Sequence, residues 1–144
     1  LIQRQIDTTG TQQLVASQVK EKFGGLRFYC REGDDYSTSV VDLAESLSMH
    51  VCEACGAPGK VISTSGWMRA RCAEHENTTT YDEEPLRGIR ENILRAPPMG
   101  ELLGTSLDFF AADSQAAARW LTQPVLALGH RVPLVLAGCA EGQL

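Results

Sequence analysis

Residues 52 to 75 decide how this chain is read: Cys52-Glu53-Ala54-Cys55, sixteen intervening residues, then Cys72-Ala73-Glu74-His75. Two cysteines separated by two residues, then a cysteine and a histidine separated by two, is metal-ligand spacing. A structural zinc takes four sulfur or nitrogen ligands in a tetrahedron, and two close pairs supply them. Gly56, directly after Cys55, lets the chain turn under a metal without a Cβ clash. Between the pairs, residues 60–63 and 67–71 read as short strands, with Thr64-Ser65-Gly66 as the turn joining them. The expectation is a zinc ribbon or treble-clef-like pair of knuckles with ligands Cys52, Cys55, Cys72 and His75. All four positions are then filled and none is left for an activated water, so the zinc is expected to support folding rather than catalysis. A Cys52–Cys55 disulfide is the competing reading; the histidine in fourth place and the lack of a visible secretory signal weigh against it. His50 is either a rival ligand or a histidine favoured by the dipole at a helix end.

Working outward, residues 11–23 carry Leu14, Val15, Val19 and Phe23 at roughly helical spacing, and Gly24-Gly25 stops the element. Residues 26–30 read as a strand. Ser37 or Ser39 is placed to cap a helix through Met49, with Val40, Val41, Ala44, Leu47 and Ser48 inward. Residues 76–84 are polar and aperiodic and mark a boundary. Beyond it, Pro85 opens a helix to Arg95, Pro97-Pro98 breaks the pattern, and residues 99–111 form the next helix. Asp113 caps another that ends before Pro124, Gly129 closes a short turn, and Pro133 opens a last apolar turn. The fold expected is α+β: a small zinc-ribbon-containing domain over residues 1–76, a linker over 77–84, and an all-helical bundle over 85–144.

Composition narrows the function classes. Hydrophobic residues make up 43% and charged residues 22%, which excludes a disordered chain. No apolar run is long enough to span a bilayer. The net charge of -5 weighs against a free-standing nucleic-acid binder. The charge is uneven, however: residues 1–31 hold five bases against Asp7 and Glu21. Five cysteines suit a reducing cytoplasm, where the protein is expected to reside.

Two segments resemble known families. Lys20-Glu21-Lys22-Phe23-Gly24-Gly25-Leu26-Arg27-Phe28-Tyr29, followed by Cys52-Glu53, Cys55-Gly56, Pro58-Gly59, Trp67, Cys72 and His75, is similar over about residues 17–76 to a bacterial domain with a KEKFGGLRFY-like segment ahead of its cysteine knuckles. That domain carries no activity over to this chain. Trp120-Leu121-Thr122-Gln123-Pro124, Leu128-Gly129, Pro133 and Leu136, with Gly142 near the end, resemble over about residues 86–144 the toxin-binding domain of Xre/MbcA/ParS-type antitoxins. The resemblance implies an all-helical module that occludes the active site of a toxin enzyme, often a RES-type enzyme that consumes NAD. Members of that family usually carry an N-terminal helix-turn-helix for operator DNA. Here a metal domain stands in its place, which puts DNA autoregulation in doubt.

The leading expectation is a non-catalytic bacterial antitoxin or immunity-type protein whose partner is a cognate toxin enzyme, with a homodimer left open. His130, Arg131, Gly142, Gln143 and Leu144 are the expected partner contacts, with Trp120 a core anchor. The alternative is a nucleic-acid-binding zinc-ribbon regulator, transcriptional or phage-related, using Lys20, Lys22, Arg27, Lys60, Arg69 and Arg71. Catalysis is not expected. His130 with Cys139, and His50 with Asp42, lie in no nucleophile motif, and no Gly-rich phosphate loop is present.

Overall fold

A computed structural model describes residues 1–77 and 97–138 of the 144-residue chain. The elements run α1 (Ile2–Thr9), β1 (Val15–Lys22), β2 (Gly25–Arg31), α2 (Asp35–Ser48), β3 (Lys60–Thr64), β4 (Trp67–Arg71), a 3-10 turn (Ala73–His75), α3 (Pro97–Phe109), α4 (Ser114–Thr122), a second 3-10 turn (Leu126–Leu128) and α5 (Pro133–Gly138). Among the described residues β1 pairs only with β2, and β3 only with β4, both antiparallel. No helix among the described residues is long and apolar enough to cross a membrane.

The segment expected to be a helix over 11–23 is instead strand β1. Phe23 at φ 56° and Gly24 at φ 79° make a left-handed turn, so Gly24-Gly25 reverses the chain instead of merely ending it. β1 then pairs with β2 from Val15 opposite Arg31 to Lys22 opposite Gly25, with a bulge between Ala16 and Gln18. Strand pairing satisfies the backbone of β2 along one edge, which a helix over the same residues could not do. Every residue of β1 is exposed, so no buried stripe existed to favour the helix. A helix not anticipated from the sequence, α1, precedes it and ends at Gly10, whose left-handed backbone donates its N–H to the Ile6 carbonyl at 2.9 Å.

Helix α2 is capped by Asp34, not by Ser37 or Ser39. The Asp34 carboxylate accepts from the Ser37 amide at 2.8 Å and from its hydroxyl at 2.7 Å. These bonds to Ser37 hold the Asp34 carboxyl below its ordinary range. Two stripes of α2 face different neighbours. Glu45 and Ser48 accept the backbone N–H groups of Phe28 (2.7 Å) and Leu26 (2.8 Å), closing the edge of β2 that β1 does not cover. Leu43 and Leu47 are buried with Leu107, Ala117, Leu121 and Leu134 in one cluster, against which Val40, Val51, Phe110 and Trp120 pack. The Trp120 ring, half-buried against this cluster, lies 6.4 Å from that of Phe110.

That shared cluster overturns the expected order of a metal domain followed by a separate helical bundle. The α+β content stands, but strands and helices are interspersed, and a helix from the front half completes the core of the helices at the back. The physical reason is size. α3, α4 and α5 are short and need an apolar partner surface, which α2 presents. Pro97 and Pro98 open α3, since the first turn needs no amide donor there. Asp113 caps α4 by accepting from the Gln115 amide (3.1 Å) and the Ala116 amide (2.9 Å), and Gly129 at φ 65° closes the 3-10 turn. The expected linker from residue 78 onward and the helix over 85–95 lie outside the described residues.

A joint core predicts joint unfolding. Leu43→Ala in α2 and Leu121→Ala in α4 should each cost about 2–5 kcal/mol and move a single thermal transition followed by circular dichroism. Two transitions, each responding to only one of the substitutions, would contradict it.

Candidate metal centre

The first cysteine, Cys52, is held by backbone bonds. The Cys52 amide donates to the Ala57 carbonyl at 2.7 Å, and the Gly56 amide returns to the Cys52 carbonyl at 2.8 Å, with Gly56 at φ 76°. Val51 bridges to Pro58, and the Glu53 amide donates to the Ala70 carbonyl at 3.0 Å, tying the knuckle to β4. Gly59 is required by a close approach: a Cβ there would stand 2.7 Å from the Arg71 carbonyl oxygen. β4 then delivers Cys72 to the start of the 3-10 turn, which carries His75 back to the same point.

The result is a cluster. Cys72 Sγ lies 3.2 Å from His75 Nδ1, Cys55 Sγ lies 3.7 Å from Cys72 Sγ, and Cys52 Sγ lies 3.8 Å from His75 Nδ1. All four ligand atoms fall within 4.8 Å of one another. A tetrahedron with zinc-like bond lengths has edges of about 3.8 Å between sulfurs and about 3.6 Å between sulfur and nitrogen. The four side chains therefore fit a tetrahedral metal ion. Cys52 is buried and the other three are half-buried, so the site is shielded but not sealed. His50 lies outside the cluster at the end of α2, where its carbonyl accepts from the Gly59 amide at 2.8 Å.

Electrostatics explains why a cation belongs there. Burial pushes the Cys52 thiol up, but the amides of Cys72, Ala54 and Cys55 and the Cys55 thiol outweigh it and hold Cys52 at about 7. Burial and the neighbouring Cys52 and Cys72 sulfurs push Cys55 up to about 12. The protein stabilises one negative charge readily and resists a second. A divalent cation removes that conflict.

Beside the cluster lies a buried ion pair the sequence reading did not identify. Arg71 Nη1 stands 2.7 Å from Glu53 Oε1, with side chains only 2% and 22% exposed. The contact is an ion pair off the hydrogen-bonding direction, and Arg71 Nε has no hydrogen-bond partner among the described residues. Its signal was present: Glu53 sits inside the first knuckle, and Arg71 immediately precedes Cys72. The register puts Lys60, Arg69 and Arg71 on one ribbon face with Trp67, but the burial of Arg71 removes it from any nucleic-acid surface. Arg27 is likewise engaged, 3.6 Å from Glu45.

Comparison with family models, curated proteins and solved structures finds no match.

Of the expected partner contacts, His130 and Arg131 are exposed on the loop after the second 3-10 turn. Arg131 Nε donates to the Leu128 carbonyl at 3.2 Å, so its head group braces its own loop. Gly142, Gln143 and Leu144 fall outside the described residues, as does Cys139.

Two outcomes follow. Cys55→Ser or Cys72→Ser should abolish stoichiometric metal retention in elemental analysis, and cobalt substitution should give a tetrahedral thiolate spectrum in the unaltered chain. Acid must weaken metal binding, because ligands bind as thiolate and neutral imidazole. Below pH about 7 Cys52 also takes a proton in the metal-free protein, so affinity should fall more steeply below that pH than above it. An affinity independent of pH would contradict the assignment. Separately, Glu53→Ala leaves Arg71 buried without its counter-charge and should destabilise by about 3–5 kcal/mol in chemical denaturation.

Proposed function

We propose that this is a non-catalytic binding protein of antitoxin or immunity type. It holds a structural zinc and engages a partner enzyme through the segment spanning α3 to α5. Cys52, Cys55, Cys72 and His75 hold the zinc. A three-sulfur, one-nitrogen set filled by protein ligands suits zinc and leaves no position for substrate water.

One observation carries the partner reading. Phe109 is 80% exposed and Leu126 75% exposed, the two most exposed large apolar side chains among the described residues. Both belong to the segment whose sequence resembles a toxin-binding domain. Nearby, Leu107 and Leu121 are fully buried, so the segment has satisfied its core and still presents apolar groups to water. The T-shaped contact of Phe109 with Phe110, at 5.0 Å, sets the outer ring against one that packs on the core. An aromatic group positioned in this way supplies contact area at low entropic cost. His130 and Arg131 flank the same loop and supply polar contacts. The resemblance makes a NAD-consuming toxin the first partner to try.

The test uses the full chain. An enzyme that co-purifies with it from its source cell should lose turnover when purified chain is added in equimolar amount. Phe109→Asp and Leu126→Asp should each weaken that inhibition by roughly 30-fold or more with the melting temperature unchanged, as expected for interface hot spots. A co-purifying enzyme whose turnover is unaffected by the chain would contradict the proposal.

A further inference from the structure

A different surface, on the opposite end of the sequence, points to a second ligand. The register of the β1–β2 hairpin places Gln18, Lys20 and Lys22 on one face, with Tyr29 opposite Gln18 and Arg27 opposite Lys20. Lys20 Nζ lies 4.9 Å over the Tyr29 ring, and Lys22 Nζ lies 5.2 Å over the Phe23 ring at the hairpin tip. Both rings therefore flank the same face, and both are open to solvent among the described residues, Phe23 at 63% and Tyr29 at 47%.

Two features of this face are poorly explained by folding. Lys20 and Arg27 stand directly opposite each other, and like charges in that position destabilise a hairpin. Two aromatic rings are exposed where neither adds to the core. The acidic groups do not cancel the charge of the two lysines. Glu21 lies on the other face, where its carboxylate accepts from the Gly24 amide at 2.6 Å, and Glu45 accepts the Phe28 amide and pairs with Arg27. The face thus carries two lysines along β1 at a spacing of roughly 6.6 Å, with one ring on β2 and one at the hairpin tip.

We infer that the β1–β2 face binds single-stranded nucleic acid. Phosphates take the ammonium groups of Lys20 and Lys22, while bases stack on Tyr29 and Phe23. Any base offers a flat face to a ring, so the recognition is tolerant of sequence and needs strands that are not paired. The inference is independent of the partner-enzyme reading, since it uses none of the residues from α3 to α5.

The experiment is fluorescence anisotropy of the full, metal-loaded chain with labelled oligo-dT and oligo-U, against a duplex of equal length, over a range of salt. Two neutralised phosphates at about −0.7 each predict a log–log salt slope of about −1.4 for the single strands. Lys20→Gln and Lys22→Gln should each flatten that slope by about 0.7. Tyr29→Ala should weaken binding about tenfold at fixed salt. All three positions are exposed, and unchanged metal content and circular dichroism establish that each variant is folded. The inference is overturned if single strands show no salt-dependent binding, if the duplex binds as tightly, or if polyphosphate competes while Tyr29→Ala has no effect. Should Tyr29→Ala lose its metal, the two lysine variants still decide the outcome through the salt slope.

Discussion

Helix α2 is committed on two sides, and the rest of the fold depends on that. One stripe offers Glu45 and Ser48 as acceptors to the outer edge of β2. The other buries Leu43 and Leu47 among the helices that follow the metal centre. Neither neighbour is self-sufficient. A two-stranded hairpin with an entirely exposed first strand is marginal alone, and three short helices have too little mutual surface to close a core. The helix supplies polar satisfaction to one and apolar area to the other.

The metal centre continues the same helix. Three residues separate its end at Ser48 from Cys52, and within that link Val51 packs on the helical core while Cys52 enters the ligand cluster. One peptide bond thus joins an apolar contact to a candidate metal ligand. The knuckle is rigid because its backbone groups are paired internally and to β4, and because Gly59 lets the Arg71 backbone approach closely. The Glu53–Arg71 pair fixes the knuckle to β4 from the side. A cation at the cluster would resolve the thiolate repulsion and, through Val51, hold the orientation of α2 against the helices.

The legible part of this molecule was the part governed by local chemistry. The spacing of Cys52, Cys55, Cys72 and His75 located the candidate ligands because knuckles are short-range structures with fixed offsets. The β3–β4 hairpin, the Asp113 cap and the Gly129 turn were legible for the same reason. Non-local choices were not. Leu14, Val15, Val19 and Phe23 fit a helical period, but pairing with β2 decided their state, and a turn through positive φ at Phe23 is not visible in a spacing rule. The polar run after residue 75 suggested two bodies, whereas the apolar stripe of α2 is shared across it. Arg71 read as a surface base because burial of an arginine depends on a partner brought from another turn of the chain.

These features describe a small scaffold in which a candidate metal-ligand cluster and a helical core share one helix, with Phe109 and Leu126 left exposed to water. The central claim is that metal and helical core are coupled through Val51 and Cys52. Hydrogen exchange at the amides of α4, measured with and without a chelator, tests it most directly. Coupling predicts that stripping the metal lowers protection at Leu121 in α4 along with protection in β3 and β4. Full retention of protection in α4 while β3 and β4 open would contradict it.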